Sequence, residues 1–225
     1  MTREVLTQQI KKLLDEVLLL GSMVEQATFN AIATLKNRDI HAARQVYDDD
    51  QTINEKRFAI ENAIIITIAT QQPMARDLRT LAAILEIITE LERMGDYAKG
   101  IAKVTMRLGD AELPIPIREI EQMGELGLGM LHRALSAFVN EDARTASKIP
   151  AEDDAVDALY NEIYSELVNE MIADPRLIES INLLLWVVHN LERLADRVTN
   201  ICERTVFITT GELMEMDTAD EEENE

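Results

Sequence analysis

Apolar residues recur along this chain at the three-and-four spacing of an amphipathic helix. Leu6, Ile10, Leu13, Leu14 and Val17 open the pattern, which predicts a helix over 3–36 that stops near Asn37. Asp39 offers a side-chain N-cap to a second helix reaching about Ala69. Gln71-Gln72-Pro73 breaks the rhythm, and a proline near the first turn suits the start of a third helix that runs to about Leu108. Gly109 and Pro114 mark a linker. Beyond it the same rhythm predicts helices at about 118–139, 142–172 and 176–210, separated by Asn140-Glu141 and Asp174-Pro175. Helices of about thirty residues span about 45 Å, and short connections make successive ones antiparallel.

The second set of three helices is a copy of the first. Residues 31–46 align without a gap on 134–149, so that Ala31, Asn37, Asp39 and Ala43 recur as Ala134, Asn140, Asp142 and Ala146. The register continues from Asp50, Ile53 and Asn54 into Asp153, Val156 and Asp157. LERMGDYAKGIA at 91–102 mirrors LERLADRVTNIC at 191–202. The fold expected is therefore all-α, two tandem three-helix bundles related by internal duplication. The first bundle covers 1–109, a linker 110–117, the second bundle 118–211, and an acidic tail 212–225.

Composition narrows the class. Aromatics at 4% and eight glycines argue against a β-sandwich, while 47% apolar residues exclude a disordered chain. The formal charge is −20, and the tail, with eight acids and no base, reads as solvated and disordered. Acids still outnumber bases without it, and such a surface repels nucleic acid, whose binding needs neutralised phosphates. The apolar run 63–69 is too short for a bilayer and the N-terminus is no signal peptide, so the expectation is a cytoplasmic protein without membrane insertion. Cys202 is the one cysteine, so no intrachain disulfide forms.

The acids that stand out are those on an apolar row. Leu78, Leu81, Leu85, Glu92 and Asp96 fall within about 60° of each other at 100° per residue. Ile178, Ile181, Leu185, Glu192 and Asp196 repeat the spacing. Paired acids at i, i+4 repel by a few tenths of a kcal/mol, and half-burying them costs more unless a cation joins them. The second helices supply a facing wall, Asp50 with Asn54 in copy one and Asp153 with Asp157 in copy two. Carboxylates at helical spacing suit a hard cation, so Asp50, Glu92, Asp96, Asp153, Asp157, Glu192 and Asp196 are the candidate metal ligands. The ion would be divalent or trivalent, with iron, manganese, magnesium and zinc all open. Set against this, such acids on long helices are commonly solvated or paired with neighbours such as Arg93, Lys99, Arg193 and Arg197.

Other signals are weaker. His189 precedes Glu192 by three, but copy one has no histidine at the matching place, and the paired Glu-x-x-His motifs of di-iron bundles are absent. His41 and His132 read as surface residues. Cys202 replaces Ala102 and reads as a small buried residue, and Trp186 as a core or bundle-contact anchor. No nucleophile–base arrangement or phosphate loop is found, so no catalytic residue is assigned.

Residues 73–102 and 191–212 resemble the two signature helices of the PhoU family, and the resemblance spans nearly the whole chain, duplication included. It implies two three-helix bundles, commonly as a homodimer. The implied role is a signalling adaptor that restrains the high-affinity phosphate ABC transporter and reports its state to a membrane sensor kinase. That kinase then keeps phosphate-starvation genes off. Metal binding in some members maps onto Glu92 and Asp96, Glu192 and Asp196, with Asp50, Asp153 and Asp157 on the second helices. Asn54 stands where Asp157 is an acid, so the first site carries less charge. The alternative function is a metal-dependent helical-bundle enzyme or metal-storage protein. A third reading is a plain structural dimer with solvated acids.

Overall fold

A computed structural model describes residues 3–109 and 115–216. Among these there is no strand. Copy one consists of α1 (Arg3–Asn37), α2 (Ile40–Gln71) and α3 (Arg76–Leu108). Copy two consists of α4 (Ile117–Val139), the short α5 (Ala143–Ala146), α6 (Asp153–Ala173) and α7 (Ile178–Thr210). Three-residue 3₁₀ turns at Pro150–Glu152 and Pro175–Leu177 lead into α6 and α7. Within the expected linker, residues 110–114 lie outside the described part, as do 217–225 of the expected tail. Residues 212–216 follow α7 without regular structure, and the Met216 N–H donates to Glu203 Oε1 at 2.9 Å.

The caps that the duplication calls for are present twice. Asp39 accepts from the Ala42 N–H at 2.9 Å and Asp142 from the Thr145 N–H at 3.0 Å. Each is preceded by a residue of positive φ, Arg38 and Glu141, that turns the chain out of the previous helix. The Asp39 N–H then reaches Thr34 O and the Asp142 N–H reaches Ala137 O, closing the helix end by the same 6→1 bond in both copies.

Two boundaries depart from the sequence reading. The third helix begins at Arg76, three residues beyond Pro73, because Gln72 and Ala75 both take positive φ. The helix expected over 142–172 is broken between α5 and α6. Pro150 lacks an N–H to offer Ala146 O and its ring crowds that turn, so the chain passes through a 3₁₀ turn before resuming as α6. Copy one has Tyr47 at the matching place and α2 runs unbroken for 32 residues.

Buried residues of both copies form one continuous core, from Leu13 and Val17 through Ile84, Ile88 and Leu91 to Leu131, Leu184 and Ile201. The copies meet along α3 with α7 and α1 with α4. On the α1–α4 contact the duplication becomes geometry. A Cβ on Gly21 would come within 2.2 Å of the Leu135 side chain, and one on its counterpart Gly124 within 2.3 Å of Ile32, the counterpart of Leu135. Each copy seats its branched residue in the other's glycine notch. Ion pairs flank the seam, among them Lys36–Glu121 at 2.8 Å, Arg204–Glu86 at 2.7 Å and Arg76–Glu141. Exposed pairs contribute about 0–1 kcal/mol each, against about 1.5–3 kcal/mol for one fully buried Leu or Ile. Apolar burial therefore holds the copies together.

Candidate functional site

The apolar row on α3 and α7 is real only in its middle. Leu81 and Ile181 are fully buried, whereas Leu78 and Ile178 are exposed and Leu85 and Leu185 half-buried. The residues facing the core are instead Ile84, Ile88, Leu91 and Ala98, with Leu184, Val188, Leu191 and Val198 in copy two. Glu92 and Glu192 are therefore half-buried at the rim of the core, whereas Asp96 and Asp196 are exposed and do not continue the buried row. The second helices supply the buried member of each group. Asp50 on α2 is 4% exposed and Asp153, the first residue of α6, is 1% exposed.

In copy one Asp50, Glu92 and Asp96 are close enough to act on one another. Burial first, then the charge of Asp96 and that of Asp50, raises the Glu92 pKa, although Arg57 opposes the shift. Burial and then Asp50 raise that of Asp96. Part of the cost is met from within the chain, at Oδ2 of Asp50, while its Oδ1 is buried with no hydrogen-bond partner. Lys99 Nζ donates to Asp50 Oδ2 at 2.7 Å and Asn54 Nδ2 donates to the same oxygen at 3.0 Å. The Tyr47 ring stands 5.3 Å from the ammonium. That hydrogen bond to Asp50 raises the Lys99 pKa and holds its charge. Lys99, named from sequence among the neighbours that could pair with these acids, is thus part of the site. The signal was its counterpart, Thr199, which carries no charge.

Copy two gathers Asp153, Asp157, Glu192 and Asp196 without such a partner for its buried member. Both oxygens of Asp153 are buried and accept from no N–H or hydroxyl group. Burial, followed by the charges of Asp157 and Asp196, pushes its pKa up to about 8. The carboxyl of Asp196 lies near enough to share a proton with it and is itself raised by partial desolvation. His189 Nδ1 lies 3.2 Å from Glu192 Oε2, a neighbour that copy one does not reproduce. The nearby guanidiniums are engaged elsewhere. Arg197 donates to Glu90 Oε2 and to the Tyr97 hydroxyl, each at 2.7 Å, and Arg193 to Tyr97 at 3.2 Å.

Oxygen donors, a buried carboxylate and an excess of negative charge fit a hard cation in copy two. Copy one does not fit one in the same way, since an ammonium already meets Asp50. Among the described residues no three Asp, Glu, His or Cys side chains converge as they stand to hold a metal ion, so side chains in copy two would have to turn inward around it.

A family model described as PhoU domain matches residues 17–105 and again 120–205. The chain belongs to the PhoU domain family. The two matched stretches of PhoU domain divide the chain between the copies. The chain is 35% identical over 217 residues to the phosphate-specific transport system accessory protein PhoU homolog of Clostridium acetobutylicum, with 96% of this chain and 99% of that one covered. It is 33% identical over 204 residues to the phosphate-specific transport system accessory protein PhoU of Escherichia coli, covering 91% and 85%. The crystal structure of PhoU from Streptococcus pneumoniae superposes with a TM-score of 0.86 at 32% identity, over 93% of this chain and 99% of that one. No helix among the described residues is long and apolar enough to cross a membrane.

The remaining sequence signals resolve simply. Cys202 is fully buried and its thiol is pushed up to about 12, chiefly by burial. Trp186 is 44% exposed and is no core residue, but its ring lies against Gly100 across the α3–α7 contact. His41 is exposed, and His132 lies at the surface with Nδ1 3.3 Å from Glu25.

Proposed function

We propose that this chain is a cytoplasmic accessory regulator of phosphate transport, acting by contact rather than by catalysis. It restrains a phosphate ABC transporter and passes the state of that transporter to a membrane sensor kinase, working as a homodimer. Membership of the PhoU domain family, with relatives named for the phosphate-specific transport system, supports the role. The observation that carries the molecular part is Asp153, a buried carboxylate whose oxygens accept from no N–H or hydroxyl group. Asp153, Asp157, Glu192 and Asp196 would hold a divalent or trivalent cation, which would supply the missing positive charge and stiffen the α6–α7 contact. A partner's basic side chain entering the same face would satisfy the same acids.

The test is genetic and analytical. A strain lacking the chain should express its phosphate-starvation genes in high phosphate, and the wild-type chain should restore repression. Full repression in the deletion strain would overturn the regulatory role. Elemental analysis of protein purified without chelators should find metal in the wild type and none in an Asp153→Asn, Asp196→Asn variant. Equal metal in both would remove the site.

A further inference from the structure

We infer that copy one carries its own cation: the Lys99 ammonium takes the place that a metal ion takes in copy two, so that one chain offers one ion site and not two. The inference rests on the proposed ion site of copy two and deepens it. Position by position, the two sites differ in the same direction. Asp50, Glu92 and Asp96 match Asp153, Glu192 and Asp196, but Asn54 matches the acid Asp157 and Lys99 matches the neutral Thr199. Arg57, whose charge acts on Glu92, matches Tyr160 near Glu192. Tyr47, whose ring faces the ammonium, matches Pro150.

Copy one thus sets three carboxylates against a lysine bonded to the buried one. Copy two sets three carboxylates, Asp157, Glu192 and Asp196, around a fourth, Asp153, whose buried oxygens accept from no N–H or hydroxyl group. A tethered ammonium is a poor neighbour for a second cation, because like charges repel strongly once water is thinned out. It also holds Asp50 Oδ2, at 2.7 Å, and leaves an ion only the buried Oδ1 of that carboxylate. Its weakness relative to a metal ion is useful in a duplicated fold, since Lys99 is always present and does not depend on ion supply. Lys99 accordingly makes copy one independent of ion concentration and leaves copy two to respond to it.

The experiment counts Mn(II) on the full chain, stripped with chelator and then dialysed against the ion. It compares wild type, Asp153→Asn and the double variant Lys99→Thr, Asn54→Asp, which rewrites copy one in the residues of copy two. About one ion per chain is expected in the wild type, none in Asp153→Asn and about two in the double variant. Thermal melting supplies a second readout: the double variant should melt lower than wild type without Mn(II) and recover with it. If the double variant does not fold, Lys99→Gln carries the same expectation of a second ion.

An ion that survives Asp153→Asn and is lost on adding Asp50→Asn would overturn the inference, showing copy one open despite its lysine. So would a folded double variant with the wild-type count. A wild type without ion, beside a double variant that gains one and is stabilised by it, would refute the copy-two site yet uphold the role of Lys99. No ion on any form, with no melting shift, would sink both.

Discussion

A carboxyl group that is buried beside other acids and accepts from no N–H or hydroxyl, as Asp153 is, holds its proton in preference to a buried charge. Its folded pKa of about 8 lies above the ordinary value of 3.8, so the linkage has a definite sign. The stabilisation from the protonated form is complete below the unfolded value and is lost as pH rises through about 8. Metal-free protein should therefore melt at progressively lower temperature between pH 5 and pH 9, and Asp153→Asn should flatten that slope. A wild-type slope unchanged by the substitution would place the sensitivity elsewhere. In copy one the lysine alters the outcome. Lys99→Met should cost about 1–3 kcal/mol in denaturant unfolding, less than the loss of one partner from a fully buried pair because Lys99 is 32% exposed. Sequence exposed the acids and named Lys99 among their candidate partners, but not which acid it meets. Asp50 and Lys99 lie 49 residues apart, and only the packing of α2 on α3 brings them together.

Helix positions and most ends were legible because apolar spacing and capping chemistry are local. Asp39 and Asp142 were marked by sequence alone, and each should contribute about 1 kcal/mol. Asp39→Ala and Asp142→Ala are expected to lower stability by about that amount in urea unfolding, additively, since the caps serve different helices. What stayed hidden was the exact face of α3 and α7. A row 60° wide can be drawn through Leu78, Leu81 and Leu85, yet the core lies to one side of it, on Ile84, Ile88 and Leu91. Which flank of a helix is covered depends on where its neighbours pack, and periodicity does not carry that information. The break at Pro150 was legible in principle, since an interior proline removes a bond wherever it falls. Alignment with the unbroken first copy masked it.

The continuous core and the reciprocal glycine notches bind the two copies into one cooperative body. Calorimetry should give a single transition whose calorimetric and van't Hoff enthalpies agree. Two resolved transitions would mean that the copies unfold separately. The α3–α7 contact has its own reporter. A Cβ on Gly100 would stand 2.1 Å from the Trp186 ring, and the ring, already half-exposed, has room to swing outward. Gly100→Ala should shift tryptophan emission to longer wavelength with a modest loss of stability, about 1 kcal/mol. An unchanged spectrum would show that the backbone moves instead. The pairing of bundles was readable from the duplication, but their fusion was not, because no residue pattern announces which outer faces will meet.

The proline joint gives this body a mechanical asymmetry. In copy one the buried acid rides about a third of the way along an unbroken helix, so a shift of the Asp50 backbone is resisted by hydrogen-bonded turns on both sides. In copy two Asp153 sits just past an elbow, where a turn of 3₁₀ backbone separates α6 from α5. Force generated at that acid can be taken up by a few torsions and delivered to α6 alone. The buried acid of one half is thus embedded in an unbroken helix, and that of the other opens the helix that carries it.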